Sequence, residues 1–422
     1  MSTIIKNCPM AVRLVLGAAV AGNLLSPPPA SRAATYAYTD LHPSGLTSSY
    51  GYGASGSQQV GSGNAHALLW SSTPGSAVDL NPSGFTYSEA YGMSGSQQVG
   101  YGNDGNNVHA FLWSGTAGSA VDLHPSGLSY SEADGTSGSQ QVGFGSGSAT
   151  GNNSHALLWS GTASSKVDLH PSGFTRSYAY GASGGRQVGY GYGSATGNNY
   201  HALLWSGTAI TKVDLNPSGF TTSYGQGISG SQQVGYGLPA TGINFHALVW
   251  SSTASSAVDL NPGGFTMSVA SGTSGSQQVG YGHGSATSGH DHALLWSGAA
   301  SGVVDLHSLL SSDYSSSYAT GIDANGNIVG YANYTLTGQY HAILWTVVPK
   351  FVPVPLLAII RSGQDVVLSW PTNAPGFGLQ FVLNLDPPVN WIDSTNMHAI
   401  AGTNFTVTNT ISADSQFYRL KQ

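Results

Sequence analysis

Residues 177–215 read SYAYGASGGRQVGYGYGSATGNNYHALLWSGTAITKVDL, and this stretch decides the fold. Four short runs stand out in it: Ser177–Gly181, Arg186–Tyr190, His201–Trp205 and Lys212–Leu215. Gly, Ser, Asn or Thr separates each run from the next, the pattern of antiparallel strands joined by turns. In the third run His201, Leu203 and Trp205 share one face of a strand and Ala202 and Leu204 the other. Both faces are therefore available for packing.

The unit recurs throughout the chain. A His-Ala-(Leu/Phe/Ile)-(Leu/Val)-Trp run begins at His66, His109, His155, His201, His246, His292 and His341, and ends at Trp70, Trp113, Trp159, Trp205, Trp250, Trp296 and Trp345. An Asp-Leu-(His/Asn) element begins at Asp40, Asp79, Asp122, Asp168, Asp214, Asp259 and Asp305. The spacing of 43 to 49 residues with four strands per unit is that of a β-propeller blade; a parallel β-helix rung is about half as long. Small residues at alternate positions of the first run, such as Ser88, Ala90 and Gly92, suit an innermost strand where backbones converge. The Gly-x-Gly pairs read as punctuation between strands. Ala37–Leu41 precedes any complete unit, and His341–Trp345 has no Asp-Leu element after it. Pairing these two predicts an all-β fold, a seven-bladed β-propeller over residues 36–345 closed by the N-terminal strand, with no open edge. A Pro-rich linker at 346–357 follows, and the non-repeating strands of 358–422 read as a small β-sandwich module.

Only 7% of the 422 residues are charged, with 18 acids against 11 bases, 59 glycines and 22 tyrosines. That excludes a charge-driven disordered chain, a coiled coil and a basic nucleic-acid surface. Lys6 and Arg13 followed by the apolar run Leu14–Leu25 and the small residues near Ala33 predict a secretory signal peptide over 1–33. The single cysteine, Cys8, falls inside it, so no disulfide or thiol chemistry is expected after cleavage. The expected location is secreted or cell-surface, and the expected state is a monomer without cofactors or an integral membrane segment.

His109–Trp113 and Gly321–Gly330 resemble the two halves of the bacterial extracellular HAF repeat, over roughly residues 36–345. Six of the seven copies replace that family's Gly-Ile-Asn turn with a Ser-Gly turn. The resemblance implies a secreted repeat array and carries no activity with it. Val367–Pro371, Gly378–Gln380 and Phe417–Leu420 are similar to a terminal module of secreted bacterial surface proteins, which implies attachment or export rather than catalysis.

A residue present in all seven repeats serves what all seven need. The repeated His, Trp and Asp residues are thus expected to brace the fold as a buried hydrogen-bonding network. Function is expected where copies differ. The variable loops between the second and third strands emerge at the same end as the Asp-Leu connectors. They place Tyr101, Asn106, Asn152, Asn153, Tyr192, Asn198, Asn199, Tyr200, Phe245 and Tyr340 on a candidate ligand-binding face, since flat rings beside neutral hydrogen-bonding groups suit carbohydrate or a protein partner. Glu89, Glu132 and Asp134 on neighbouring inner strands are candidate catalytic carboxylates for glycoside cleavage. His283, His290 and His292 are candidate metal ligands. The favoured expectation is a non-catalytic binding or scaffold protein recognising extracellular polysaccharide or a surface protein on its loop-bearing face. Two alternatives stay open: a polysaccharide-active hydrolase or lyase using the inner-strand carboxylates, and a purely structural envelope protein.

Overall fold

The computed structural model describes residues 35–348, 355–373, 376–385, 388–396, 398–410 and 416–421. The expected signal peptide with Cys8, and linker residues 349–354, lie outside the described residues. The chain divides into two compact units, one of them Ala34–Val348 and the other holding the C-terminal strands.

In the first unit each repeat folds as a four-stranded antiparallel meander, and the architecture is all-β and propeller-like. The fourth repeat shows the pattern with Arg176–Ser183, Arg186–Tyr192, Tyr200–Trp205 and Val213–Asp214. The fourth strand is two residues long, shorter than its sequence pattern suggests, because a 3₁₀ turn at Ala209–Thr211 takes up the chain before it. The last repeat supplies three strands, and its fourth partner is Tyr36–Asp40, antiparallel to Gln339–Val347 with Tyr38 opposite Trp345 and Asp40 opposite Ile343.

The inner strands abut one another in sequence order. A Cβ on Gly53 would lie 2.9 Å from Tyr91 O, on Gly92 2.7 Å from Asp134 O, and on Gly135 2.4 Å from Tyr180 O. The series continues until a Cβ on Gly321 would lie 2.8 Å from Tyr52 O, back at the first repeat. Glycine is required at these positions because a neighbouring backbone occupies the side-chain space. Between sheets the cores are apolar and shared: Val142, Ala156, Leu158 and Leu169 of one repeat pack with Ala179, Leu203 and Trp205 of the next. All seven repeat tryptophans are fully buried.

The Gly-x-Gly pairs are not punctuation. Gly61 and Gly63, Gly100 and Gly102, and Gly189 and Gly191 lie inside second strands. A Cβ on Gly61, Gly100 or Gly189 would come within 1.8 to 1.9 Å of the carbonyl oxygen of Tyr50, Glu89 or Tyr178 on the inner strand. The cause is a β-bulge in every inner strand, between Gly51 and Gly53, Ala90 and Gly92, Ala133 and Gly135, and their equivalents. A bulge bends its strand and disrupts the ladder locally, and at these glycines the inner-strand carbonyl leaves room only for hydrogen.

The C-terminal unit has two antiparallel sheets. One orders Ala358–Ser362, Asp365–Pro371, Asn404–Thr410 and Ala399–Ala401; the other orders Ile392–Asp393, Gly378–Val382 and Phe417–Lys421. Leu368, Trp370 and Val407 of the first pack with Leu379 and Tyr418 of the second. Among the described residues no helix is long and apolar enough to cross a membrane.

Candidate functional site

The bulge sets what faces the axis. Its extra, unpaired residue is Tyr52, Tyr91, Asp134, Tyr180, Gln226, Ser271 or Thr320 in successive repeats. Bulges re-aim side chains in this way. An axial cavity of about 200 Å³ receives residues from all seven repeats, among them Gly53, Met93, Asp134, Tyr180, Gln226, Ser271 and Ile322. Six of the seven bulge residues are neutral; Asp134 is the acid.

Two residues before the bulge residue stand Glu89 in the second repeat and Glu132 in the third, both within the sequence Tyr-Ser-Glu. Strand alternation puts Tyr87 on the same side as Glu89 and Tyr130 on the same side as Glu132. Tyr87 donates its hydroxyl to Glu89 Oε1 at 2.5 Å, and Tyr130 donates to Glu132 Oε2. Glu132 is 9% exposed. Burial, and then the nearby charge of Glu89, push its carboxyl above the ordinary glutamate range. Asp134 is pushed well above the ordinary aspartate range by burial and by Glu132 beside it. Its Oδ2 is shielded from solvent and has no hydrogen-bond partner. Glu132 and Asp134 therefore titrate as a pair that holds a proton to a higher pH than a free carboxylate does.

Tyrosines surround this cluster. Tyr101 lies 5.7 Å from Tyr91 and 5.8 Å from Tyr87 by ring centroids, and Tyr180 and Tyr190 share a hydroxyl contact of 3.0 Å. Burial raises Tyr91, Tyr130 and Tyr180, and moves Tyr190 up to about 12, so these phenols remain hydrogen-bond donors. The belt continues through Tyr200 beside Tyr224 at 5.5 Å, Phe245 beside Tyr236 at 5.1 Å, and Tyr340 beside Tyr50 at 5.4 Å. Tyr192 meets Tyr200 at 5.2 Å. The aromatic members of the candidate ligand face are thus brought together.

The asparagines are not. Asn106 donates its backbone N–H to Asp104. Asn152 and Asn198 hold left-handed turn positions at φ 62° and 61°. Asn153 and Asn199 offer their carbonyls to Thr150 and Thr196 at 2.7 and 2.6 Å. They build loop tips.

The repeated histidines and aspartates form a latch. Each third-strand His meets the fourth-strand Asp through Nδ1 at 2.7 to 2.8 Å, from His66–Asp79 to His341–Asp40. The other Asp oxygen accepts the backbone N–H two residues on, as at His42, Asn81 and His124. That residue's side chain reaches the inner-strand Ser of the following repeat: His124 Nδ1 lies 2.8 Å from Ser131 Oγ, and Ser88 Oγ donates to Asn81 Oδ1 at 2.7 Å. The same Ser accepts Ala110 or Ala67 N–H across the sheet boundary. The tryptophans take no part. Nε1 of Trp70, Trp113, Trp159, Trp205, Trp250 and Trp296 has no partner, while Trp345 Nε1 donates to Leu306 O at 3.2 Å. Nor is the latch buried: in six of the seven pairs the Asp side chain is more exposed than a third, and in the seventh, Asp305, about a third.

The candidate metal ligands are not gathered. His292 belongs to the latch with Asp305, His283 pairs with Asp291, and His290 offers its carbonyl to Thr287. Among the described residues no group of three His, Cys, Asp or Glu is placed to hold an ion.

No family model and no curated protein matches the sequence. Among solved structures the chain is similar to a puromycin-hydrolysing peptidase of Mycobacterium tuberculosis, at 11% identity and TM-score 0.47, covering 78% of this chain and 58% of that one. It is similar to the β-propeller domain of the trilobed protease of Pyrococcus furiosus, at 10% identity and TM-score 0.44, covering 68% and 91%. It is also similar to an oligogalacturonate lyase of Vibrio parahaemolyticus, at 9% identity and TM-score 0.45, covering 74% and 94%. The chain spans 53% of a puromycin hydrolase it also matches. At these identities the likeness is one of fold. The expectation of a non-catalytic binding or scaffold protein has no counterpart among these three, which are named as a peptidase, a protease domain and a lyase.

Proposed function

We propose that the protein is a carbohydrate-active hydrolase that cleaves a glycosidic bond in the tyrosine-lined axial funnel. Glu132 is the proton donor and Glu89 the partner carboxylate. The observation that carries this reading is the buried Glu132–Asp134 pair beside a second glutamate on the adjoining inner strand: burial and then Glu89 raise Glu132, and burial and then Glu132 raise Asp134. A carboxyl whose proton affinity is raised and a second carboxylate beside it are the two groups that acetal cleavage needs. Tyrosine faces supply platforms for pyranose rings. Hydrolysis is favoured over elimination from a uronate, because elimination needs the substrate carboxylate neutralised. The inner strands carry no Lys or Arg except Arg176, at an exposed strand start.

The architecture behind this reading is a closed seven-bladed propeller with a C-terminal β-sandwich. It is supported by the inner-strand contacts that return from Gly321 to Tyr52 and by the shared core of the two C-terminal sheets. Membership of the HAF-repeat family and export by the N-terminal segment complete the proposal, supported by the repeat motifs and the leader pattern.

The test is release of reducing ends from neutral polysaccharides by wild-type and Glu132→Gln protein. The reading expects a loss of about 10²- to 10⁴-fold in the variant. Equal turnover by the variant, or none by the wild type across neutral glycans, overturns it.

A further inference from the structure

The propeller unit contains an eighth His–Asp pair that the repeat does not explain. His283 is the penultimate residue of the second strand of the sixth repeat, Gln278–Gly284, and Asp291 immediately precedes the third. At the equivalent of His283 the other repeats have Asn64, Asn103, Ser146, Tyr192, Leu238 and Asn333. At the equivalent of Asp291 they have mainly aromatic or small residues, including Tyr200, Phe245 and Tyr340. The pair is therefore absent from the latch and unique to the sixth repeat, at the end where its second and third strands are joined.

Its geometry is fixed on three sides. His283 Nδ1 lies 2.9 Å from Asp291 Oδ1. The hydroxyl of Tyr318, on the inner strand of the next repeat, donates to Asp291 Oδ2 at 2.7 Å. Tyr318 in turn meets Tyr281 and Tyr331 at 4.9 Å each. A carboxylate only accepts, so the contact of Asp291 Oδ1 with His283 is a hydrogen bond when Nδ1 carries the proton, as in the neutral Nδ1–H tautomer. Nε2 is left as a lone-pair acceptor with no hydrogen-bond partner among the described residues, on a side chain 37% exposed.

We propose that His283, held by Asp291 and Tyr318, is a substrate subsite for one neutral sugar ring. A sugar hydroxyl donates to Nε2 while the ring lies against the adjacent tyrosines. An oriented acceptor beside an aromatic platform matches what a pyranose offers, an outward O–H and an apolar C–H face. This assignment rests on the funnel being a glycan site, and it names the class that the sector accepts: neutral rings with a free hydroxyl.

The experiment uses the full chain carrying Glu132→Gln, so that binding is read without turnover. Imidazole nitrogen NMR shifts and oligosaccharide affinity are measured with cello-, xylo- and N-acetylglucosamine hexaoses. At least one hexaose is expected to move the His283 Nε2 resonance. Asp291→Asn should move the proton to Nε2, visible as exchanged nitrogen shifts without sugar, and weaken that hexaose about five- to ten-fold, the size of one hydrogen bond. His283→Ala should weaken it similarly, while His283→Gln, which keeps an acceptor, should recover part of the loss. Unmoved Nε2 with every hexaose, or Asp291→Asn binding like its parent, overturns the subsite. If the subsite behaves as expected but wild-type protein cleaves nothing, the hydrolase reading falls and the subsite stands.

Discussion

Replacing His42, His124, His170 and His307 together by asparagine should remove much of the protein's sensitivity to mild acid while leaving it folded at neutral pH. Each of these residues stacks on a latch histidine at 3.7 to 4.1 Å between ring centroids. Burial, and then the facing imidazole, lowers their affinity for a proton. For His307 the value falls from 6.5 to about 4. The unfolded chain therefore takes up protons below pH 6.5 that the folded chain refuses. Stability contributed by these sites is complete above that pH and declines as pH falls; at His307 the decline runs toward pH 4 and is level below it. At about 1.36 kcal/mol per decade, the ceiling for His307 is about 3.4 kcal/mol, and its half-exposed ring reduces this to about 1–2 kcal/mol. Asparagine is the right replacement because Asn81 and Asn261 already fill the equivalent sites: each donates to a Phe carbonyl, at 2.7 and 3.2 Å, and accepts from a Ser hydroxyl at 2.7 Å. Glu132 and Asp134 act in the opposite sense, since raised carboxyl values add stability as pH falls. The quantity to measure is thus the difference between variant and wild type in urea midpoint, followed by tryptophan fluorescence from pH 7.5 to 4. The variant should gain on wild type steadily below pH 6.5. Parallel curves for the two proteins would refute the linkage reasoning.

Three further outcomes follow from the packing. Gly189→Ala should cost about 3 kcal/mol or more, since its Cβ would meet Tyr178 O at 1.9 Å, whereas Gly75→Ala, with nothing within 4 Å, should leave the thermal midpoint nearly unchanged. Asp40→Asn should destabilise by about 1–3 kcal/mol in chemical denaturation, because Asp40 accepts from His42 N–H, His341 and Tyr314 at 2.8 Å each and ties the N-terminal strand to the last repeat. Ser131→Ala should cost about 1–2 kcal/mol in the same assay, since it strands both His124 Nδ1 and the buried Ala110 N–H.

The strand pattern was readable because it rests on local rules. Alternation in His201–Trp205, turn residues between runs and a constant repeat length require no knowledge of distant contacts. The pairing of Tyr36–Asp40 with Gln339–Val347 was readable from the uneven ends of the repeat array. The bulge was not: Ser-Tyr-Ala-Tyr-Gly alternates like any strand, and only the partner strand reveals that Tyr180 is the unpaired residue. For the same reason Gly189 looked like a turn residue although it sits mid-strand against Tyr178. The His-to-Asp contact spans thirteen residues in six repeats, but its continuation to Ser131 and Ala110 crosses a sheet boundary and leaves no local mark. The tryptophans were expected to join that network, yet their indoles serve only as apolar volume. At the axis, Tyr87–Glu89 and Tyr130–Glu132 carried a signal in the twice-repeated Tyr-Ser-Glu. Desolvation of Glu132 did not, because burial depends on how the inner strands converge.

Carboxyl carbon-13 NMR of labelled glutamate and aspartate reads the proton on the axial carboxylates directly. The account predicts that the Glu132–Asp134 pair titrates above the ordinary values of about 4.3 and 3.9, and that Glu89→Gln moves the Glu132 transition down by removing a like charge. Ordinary midpoints for both residues, unchanged by Glu89→Gln, would contradict it.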